Sequence, residues 1–243
     1  MRVPRVYTDQ LLGAGDTVTL ESNPSAHLSR VLRMGTGDAV TLFNGDGGEY
    51  PARIISADKR RVVVETGERV EPCNESPLQV ELAIAVSRGD RMDWIIQKST
   101  ELGVNKITPL ITARVEVKLN SERMAKRLAH WQHIAISACE QCGRNRVPEI
   151  APVVTLQTWL PSPDADLRLV LHHRADAGPQ AEQSPPGSVA LLIGPEGGLD
   201  EGEIEAAEAA NFEALRLGPR VLRTETAPLA ALAIVQSRWG DMS

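Results

Sequence analysis

The chain has 243 residues, 42% of them hydrophobic and 24% charged, which is enough apolar material for one large domain or two modest ones. Only 3% are aromatic, so a core must be built from Leu, Ile, Val and Ala. Lys and Arg number 26 against 32 Asp and Glu, a net charge of −6 that excludes a bulk positive field and leaves nucleic-acid binding to a local patch. No apolar run reaches the roughly 18 residues of a membrane span. The opening MRVPRVYTDQ lacks the apolar stretch of a secretory signal. Cys73, Cys139 and Cys142 are too few for a disulfide framework, so a reducing cytoplasm is the expected compartment.

Residues 1–72 read as β-rich. Thr17–Leu20, Ala39–Phe43 and Arg61–Glu65 are short β-branched runs, separated by turn chemistry at Gly35–Asp38 and at Asn44–Gly48, the second of these a hairpin loop. A helical turn or two is expected around Ser25 to Met34, and the whole suggests a small barrel. Pro72 to Pro77 is the expected boundary, giving domains 1–72 and 73–243.

Beyond it, strands alternate with helices. Val80–Val86 reads as a buried strand, Asp90 to Leu102 as a helix stopped by Gly103, and Lys106 to Ile111 as another strand. Asn120 or Ser121 caps a long helix whose Met124, Leu128, Trp131, Ala135, Ala138 and Cys142 share one face. Leu167–His172, Val189–Ile193 and Glu213–Leu217 read as short strands. Asp200-Glu-Gly-Glu203 is a capping-box pattern, and Thr226 caps a last helix with Pro228 in its first turn. Gly178 to Gly187 reads as a surface loop. Such alternation implies an α/β fold with a mostly parallel sheet.

Two loops carry the chemistry. Leu192-Ile-Gly-Pro-Glu-Gly-Gly-Leu199 joins a buried strand to a capped helix, where open α/β sheets bind ligands, and its glycines let backbone approach a ligand. Neither common phosphate-binding spacing is present, and Glu196 would repel a phosphate. A ligand with a cationic or neutral polar end fits better. The second loop, Leu217-Gly-Pro-Arg-Val-Leu-Arg-Thr-Glu-Thr-Ala227, offers Arg223 and Glu225, which alone would read as a surface pair. The plainer reading of the same glycines is an ordinary strand-to-helix turn.

Together the two loops resemble the S-adenosylmethionine (SAM) site of the SPOUT methyltransferases, and within them the RsmE family, which methylates N3 of a uridine in 16S rRNA. Gly89–Val104, the ACEQCGR segment Ala138–Arg144, and His27–Arg33 with Phe43–Gly45 are also similar to that family. The resemblance implies a PUA-like RNA-binding barrel, then a methyltransferase domain with a trefoil knot from about residue 165, working as a cytoplasmic homodimer on 16S rRNA or the 30S subunit. It implies SAM as methyl donor, S-adenosylhomocysteine as product, and neither membrane nor metal.

On that resemblance SAM is expected to meet Leu171, His172, Ile193, Gly194, Glu196, Gly197, Gly198, Leu217, Gly218, Leu222, Arg223, Thr226 and Ala227. Methylating uracil N3 requires removal of its proton and stabilisation of the developing anion. Arg223 is the first candidate for the anion, and Glu225 or Glu196 for the proton or the ligand's ammonium. Arg2, Arg5, Tyr7, Arg30 and Arg33 are the expected RNA contacts, through phosphates and a stacked base. Residues 1–72 hold nine basic and ten acidic side chains, so binding must use one face. The Cys139-x-x-Cys142 pair lacks the partners of a zinc site. Other readings remain open: a SPOUT enzyme acting on another RNA or on a ribose 2′-oxygen, or a non-catalytic ribosome assembly factor that binds RNA.

Overall fold

The computed structural model describes residues 3–58, 60–115, 121–172 and 185–242. Arg2, Lys59, Asn120 and His173, with most of the Gly178–Gly187 segment, lie outside these. The chain forms two compact units, Met1–Glu75 with Cys139–Val147, and Ser76–Ala138 with Pro148–Ser243.

In the first unit the strands are β1 (Arg5–Tyr7), β2 (Thr17–Thr19), β3 (Ala39–Phe43), β4 (Tyr50–Ala57) and β5 (Val62–Thr66), in sheet order β1-β3-β4-β5-β2. β1 runs parallel to β3, and the remaining pairs are antiparallel. Alternation sends Tyr50, Ala52 and Ile54 of β4 inward, to a core with Val6, Leu28, Leu42, Val62 and Val64. The hairpin loop turns through Gly45 and Gly47, whose φ of 91° and 101° suit glycine. Helix α1 (Ser22–Ala26) runs on into a π-helical turn at His27–Val31, where helical turns were expected.

The division between units falls after Glu75, inside the expected Pro72–Pro77 boundary segment, and Cys139–Val147 goes with the first unit. Hydrogen bonds explain the second point. Glu75 Oε1 accepts from the amides of Asn145 (3.1 Å) and Arg146 (3.0 Å), and its Oε2 from Arg144 Nε (3.0 Å) and Nη2 (2.8 Å). Asn74 Nδ2 donates to the Gly143 carbonyl at 2.6 Å.

The second unit begins with β6 (Gln79–Ala85), α2 (Arg91–Glu101), β7 (Lys106–Ile111) and α3 (Ser121–Cys142, to residue 138). The short β8 (Glu149–Ile150), β9 (Val154–Thr155) and α4 (Leu156–Trp159) follow, then β10 (Leu167–Leu171), β11 (Ser188–Ile193), α5 (Glu201–Ala209), β12 (Glu213–Leu215) and α6 (Ala227–Trp239). The sheet order is β12-β10-β11-β6-β7-β8, with β9 pairing further along β7, and every pair is parallel. Central strands β6 and β11 are near-continuous apolar runs because both sheet faces are covered. On α3, Trp131, Ala135 and Ala138 are buried and Met124, Leu128 and Cys142 half-buried, as the spacing predicts. Among the described residues no helix is long and apolar enough to cross a membrane.

The N-terminal ends of α5 and α6 follow from local chemistry, with one departure from expectation. At α5, Asp200 Oδ1 accepts from the Glu203 amide at 2.8 Å while Glu203 Oε2 accepts from the Asp200 amide at 3.0 Å, a complete capping box. At α6 Thr226 occupies the cap position without a side-chain cap bond, because its own backbone is already helical (φ −90°, ψ −36°). Capping there is replaced by backbone bonds from the amides of Thr226 and Ala227 to the Arg223 carbonyl, both 2.9 Å.

Candidate functional site

In the parallel order β12-β10-β11 the carboxyl ends of three strands lie side by side, so the loops after β11 and β12 flank the end of β10. The His172 amide, just past β10, donates to the Leu215 carbonyl at 3.3 Å and ties that end to β12. Between the loops opens a cleft of about 220 Å³. β11 and β12 are consecutive in sequence, but β10 lies between them in the sheet, and that order sets the two loops on either side of its end.

The first loop owes its shape to glycine. A Cβ on Gly194 would sit 2.9 Å from the Leu199 amide nitrogen, a backbone atom that cannot swing away. Gly198 has φ +69°, and its amide donates to the Pro195 carbonyl at 2.8 Å to close the turn. Arg114, beyond β7, donates from Nη1 to the Gly197 carbonyl at 2.6 Å and holds the loop from outside. A Cβ on Gly197 would meet the flexible Arg114 side chain at 3.3 Å, so a bulky residue there acts through Arg114. In the second loop Gly218 turns the chain with φ +87°.

Leu171, His172, Ile193, Gly194, Glu196, Gly197, Gly198, Leu217, Gly218, Leu222 and Ala227 all line the cleft. Arg223 and Thr226 do not; both are exposed, while their neighbours Leu222 and Thr224 face inward. Glu225 is also outside the lining, and its Oε2 is buried with no hydrogen-bond partner among the described residues. Glu196 is engaged: its Oε1 accepts from Arg91 Nη1 at 2.6 Å, and Arg91 Nε lies 3.8 Å from Glu225 Oε2.

Sequence reasoning did not mark Arg91, Arg114 or Arg220. Arg220 lines the cleft mouth, three residues before Arg223 in the same loop. That spacing was a readable signal. Arg91 was hidden as one of several charges opening α2, and its target lies over 100 residues away in the chain.

The lining suits a ligand such as SAM. Leu171, Ile193, Leu217 and Leu222 provide apolar walls for a purine, glycine backbone provides polar edges, and Glu196 provides negative charge for a cation.

The expected RNA residues divide sharply. Arg5 has a side chain only 9% exposed, because it is ion-paired with Glu49, bonded to Asn145 Oδ1 and to the Arg144 carbonyl (3.3 Å), and sits 5.0 Å over the Phe43 ring. Its role is packing within the first unit. Tyr7 is half-buried, edge-on to Phe43 at 5.6 Å, so its ring is not a free stacking platform. Its amide donates to Glu140 Oε1 at 3.0 Å; burial raises the Glu140 carboxyl above its ordinary range. Arg30 and Arg33 are exposed, the latter at φ +55°.

Among the described residues no group of three or more His, Cys, Asp or Glu is arranged to hold a metal ion. Trp131 and Trp159 are buried, Trp159 against Phe212 at 5.5 Å. Trp94 instead is 48% exposed, with Lys98 Nζ 5.2 Å from its ring centroid.

A family described as an RNA methyltransferase domain matches residues 74–236, and one described as an RNA methyltransferase PUA domain matches residues 25–66. Ribosomal RNA small subunit methyltransferase E of Buchnera aphidicola (Schizaphis graminum) is 33% identical over 100% of this chain and 99% of its own length. That of Bacillus subtilis is 35% identical, over 94% and 93%. Among solved structures, a Legionella pneumophila protein in complex with SAM superposes with a TM-score of 0.96 at 43% identity, covering 99% of this chain and 100% of the other. A ribosomal RNA small subunit methyltransferase E of Neisseria gonorrhoeae bound to SAM gives 0.93 at 42% identity, with both chains fully covered. On these full-length matches and the architecture above, the chain belongs to the family of ribosomal RNA small subunit methyltransferases E, an RNA methyltransferase domain preceded by a PUA domain.

Proposed function

We propose that this protein methylates N3 of a uridine in 16S rRNA, with SAM held between the loops after β11 and β12. The observation that carries the reading is the cleft itself: two loops separated in the chain by α5 and β12 converge on one apolar, glycine-edged site with a carboxylate at its wall. The names and bound SAM of the relatives support it. The resemblance adds cytoplasmic location, a homodimer, a trefoil knot from about residue 165, and the 30S subunit or its rRNA as substrate. In this reading residues 1–72 form the RNA-binding barrel and 73–243 the methyltransferase domain.

SAM supplies an already activated methyl group, so the protein's task is to position the base and take its proton. Leu171, Ile193, Leu217 and Leu222 grip the purine, and Glu196 faces the ammonium end. Glu225 is the better proton acceptor of the two carboxylates, since Glu196 is hydrogen-bonded to Arg91 while Glu225 Oε2 has no donor. Arg223, with no ion pair to an acidic side chain among the described residues, is free to reach a uracil carbonyl as negative charge develops, and Arg220 at the cleft mouth supplies a second cation. Arg30 and Arg33 are the phosphate contacts retained from the expected set.

The test is incubation of unmodified 30S subunits and free 16S rRNA with labelled SAM, followed by identification of the methylated nucleoside. Label recovered as N3-methyluridine supports the reading. Label on a ribose, or on tRNA alone, refutes it.

A further inference from the structure

Arg91 opens α2, a helix anchored by buried Met92, Ile95 and Ile96. From this fixed base its guanidinium reaches both loops at once. Nη1 donates to Glu196 Oε1 at 2.6 Å in the loop after β11, and Nε lies 3.8 Å from Glu225 Oε2 in the loop after β12. The second contact is an ion pair too long for a hydrogen bond, so it leaves the buried Glu225 oxygen without a donor. The Arg91, Glu196 and Glu225 side chains are 42%, 37% and 31% exposed, so the pairs contribute little to stability as such. A planar guanidinium can serve two carboxylates together, whereas an ammonium is a single point of attachment.

We propose that Arg91 is a positioning residue for methyl transfer: it locks Glu225 against the Glu196 loop, so that the partly exposed Glu225 carboxylate is held for the N3–H of the incoming uracil. The inference rests on the proposed function and assigns to Arg91 no contact with either substrate. The proton passes from uracil N3 to the Glu225 carboxylate as N3 takes the methyl group and the sulfur keeps the electron pair of the broken bond.

Four proteins test it: Arg91→Ala, Arg91→Lys, Glu225→Gln, and the Arg91→Ala/Glu225→Gln double variant. In cofactor-free Arg91→Ala, amides of residues 196–199 and 224–227 should exchange hydrogen faster than in the wild type, while its melting temperature stays within about 4 °C. With 16S rRNA its kcat should fall about 10- to 100-fold, as displacement of reacting groups does, while the calorimetric Kd for SAM changes less than about threefold. Arg91→Lys should recover part of that kcat. The double variant should be within about twofold of Glu225→Gln alone, because one residue acts through the other. Unchanged exchange in Arg91→Ala overturns the inference whether or not the wild type is active. So do losses that multiply in the double variant, or a kcat within about twofold of wild type. If Arg91→Ala does not fold, Arg91→Lys carries the same exchange and kcat criteria. Absence of uridine methylation by the wild type overturns the proposed function, and the loop-locking role is then judged on exchange alone.

Discussion

At the residue scale, Gly194 bears on the construction of the cleft and Arg223 on the proposed chemistry. The Gly194 Cα faces the Leu199 amide so closely that a methyl group there forces the backbone to move. Gly194→Ala should therefore lose about 1–3 kcal/mol of stability, by analogy with overpacked cores, and weaken SAM binding at least about tenfold by calorimetry. Gly197→Ala, opposed only by a flexible arginine, makes the milder control. Arg223 is exposed, and its side chain makes no hydrogen bond or ion pair among the described residues, so Arg223→Ala should leave SAM affinity within about threefold. Its turnover should drop about 100-fold or more, the scale seen when one group stabilising developing charge is removed. Equal loss of affinity and turnover would place Arg223 in binding instead. The glycines that shape the cleft were legible in the sequence. Arg91 and Arg114 were not, because their partners are set by tertiary proximity and no local pattern marks them.

Elements were legible where one face or both are buried consistently. The 4-3-4 spacing of α3 and the apolar runs of β6 and β11 reflect burial that persists over many residues, whereas β8 and β9, two residues each, are too short for any period. β1 escaped because Arg5 and Tyr7 read as polar surface, yet their neighbours Glu49, Asn145 and Phe43 bury them. The capping box of α5 is worth testing, since Glu203 is 4% exposed and its Oε1 also accepts from the Ala113 amide at 2.8 Å. Asp200→Ala should cost about 1 kcal/mol and lower the melting temperature about 2–4 °C. At the end of α3, burial pushes the Cys139 thiol up to about 12. An unfolded thiol ionises near about 8.5, so the stability linked to Cys139 is complete below that pH and is lost as pH rises toward 12. Iodoacetamide at mildly alkaline pH should label exposed Cys73 and spare Cys139 in folded protein, and labelling of both would contradict that burial.

At the scale of the whole molecule, the two-part plan was visible as a change from β-rich to alternating patterning near Pro72. The joining of Cys139–Val147 to the first unit was not, because it depends on Glu75, Asn74 and Arg5 reaching a segment some 70 residues or more away. The site followed the same rule. Each loop announced itself by its glycines, but their convergence on one cleft depends on β10 lying between β11 and β12 in the sheet. That convergence is the claim on which the methyl-transfer account stands, and titration calorimetry reads it most directly. SAM and S-adenosylhomocysteine should each bind folded wild-type protein at one site per chain, with affinity sharply reduced by Gly194→Ala. Well-folded protein that gives no heat with either compound, or Gly194→Ala binding as tightly as wild type, would contradict the account.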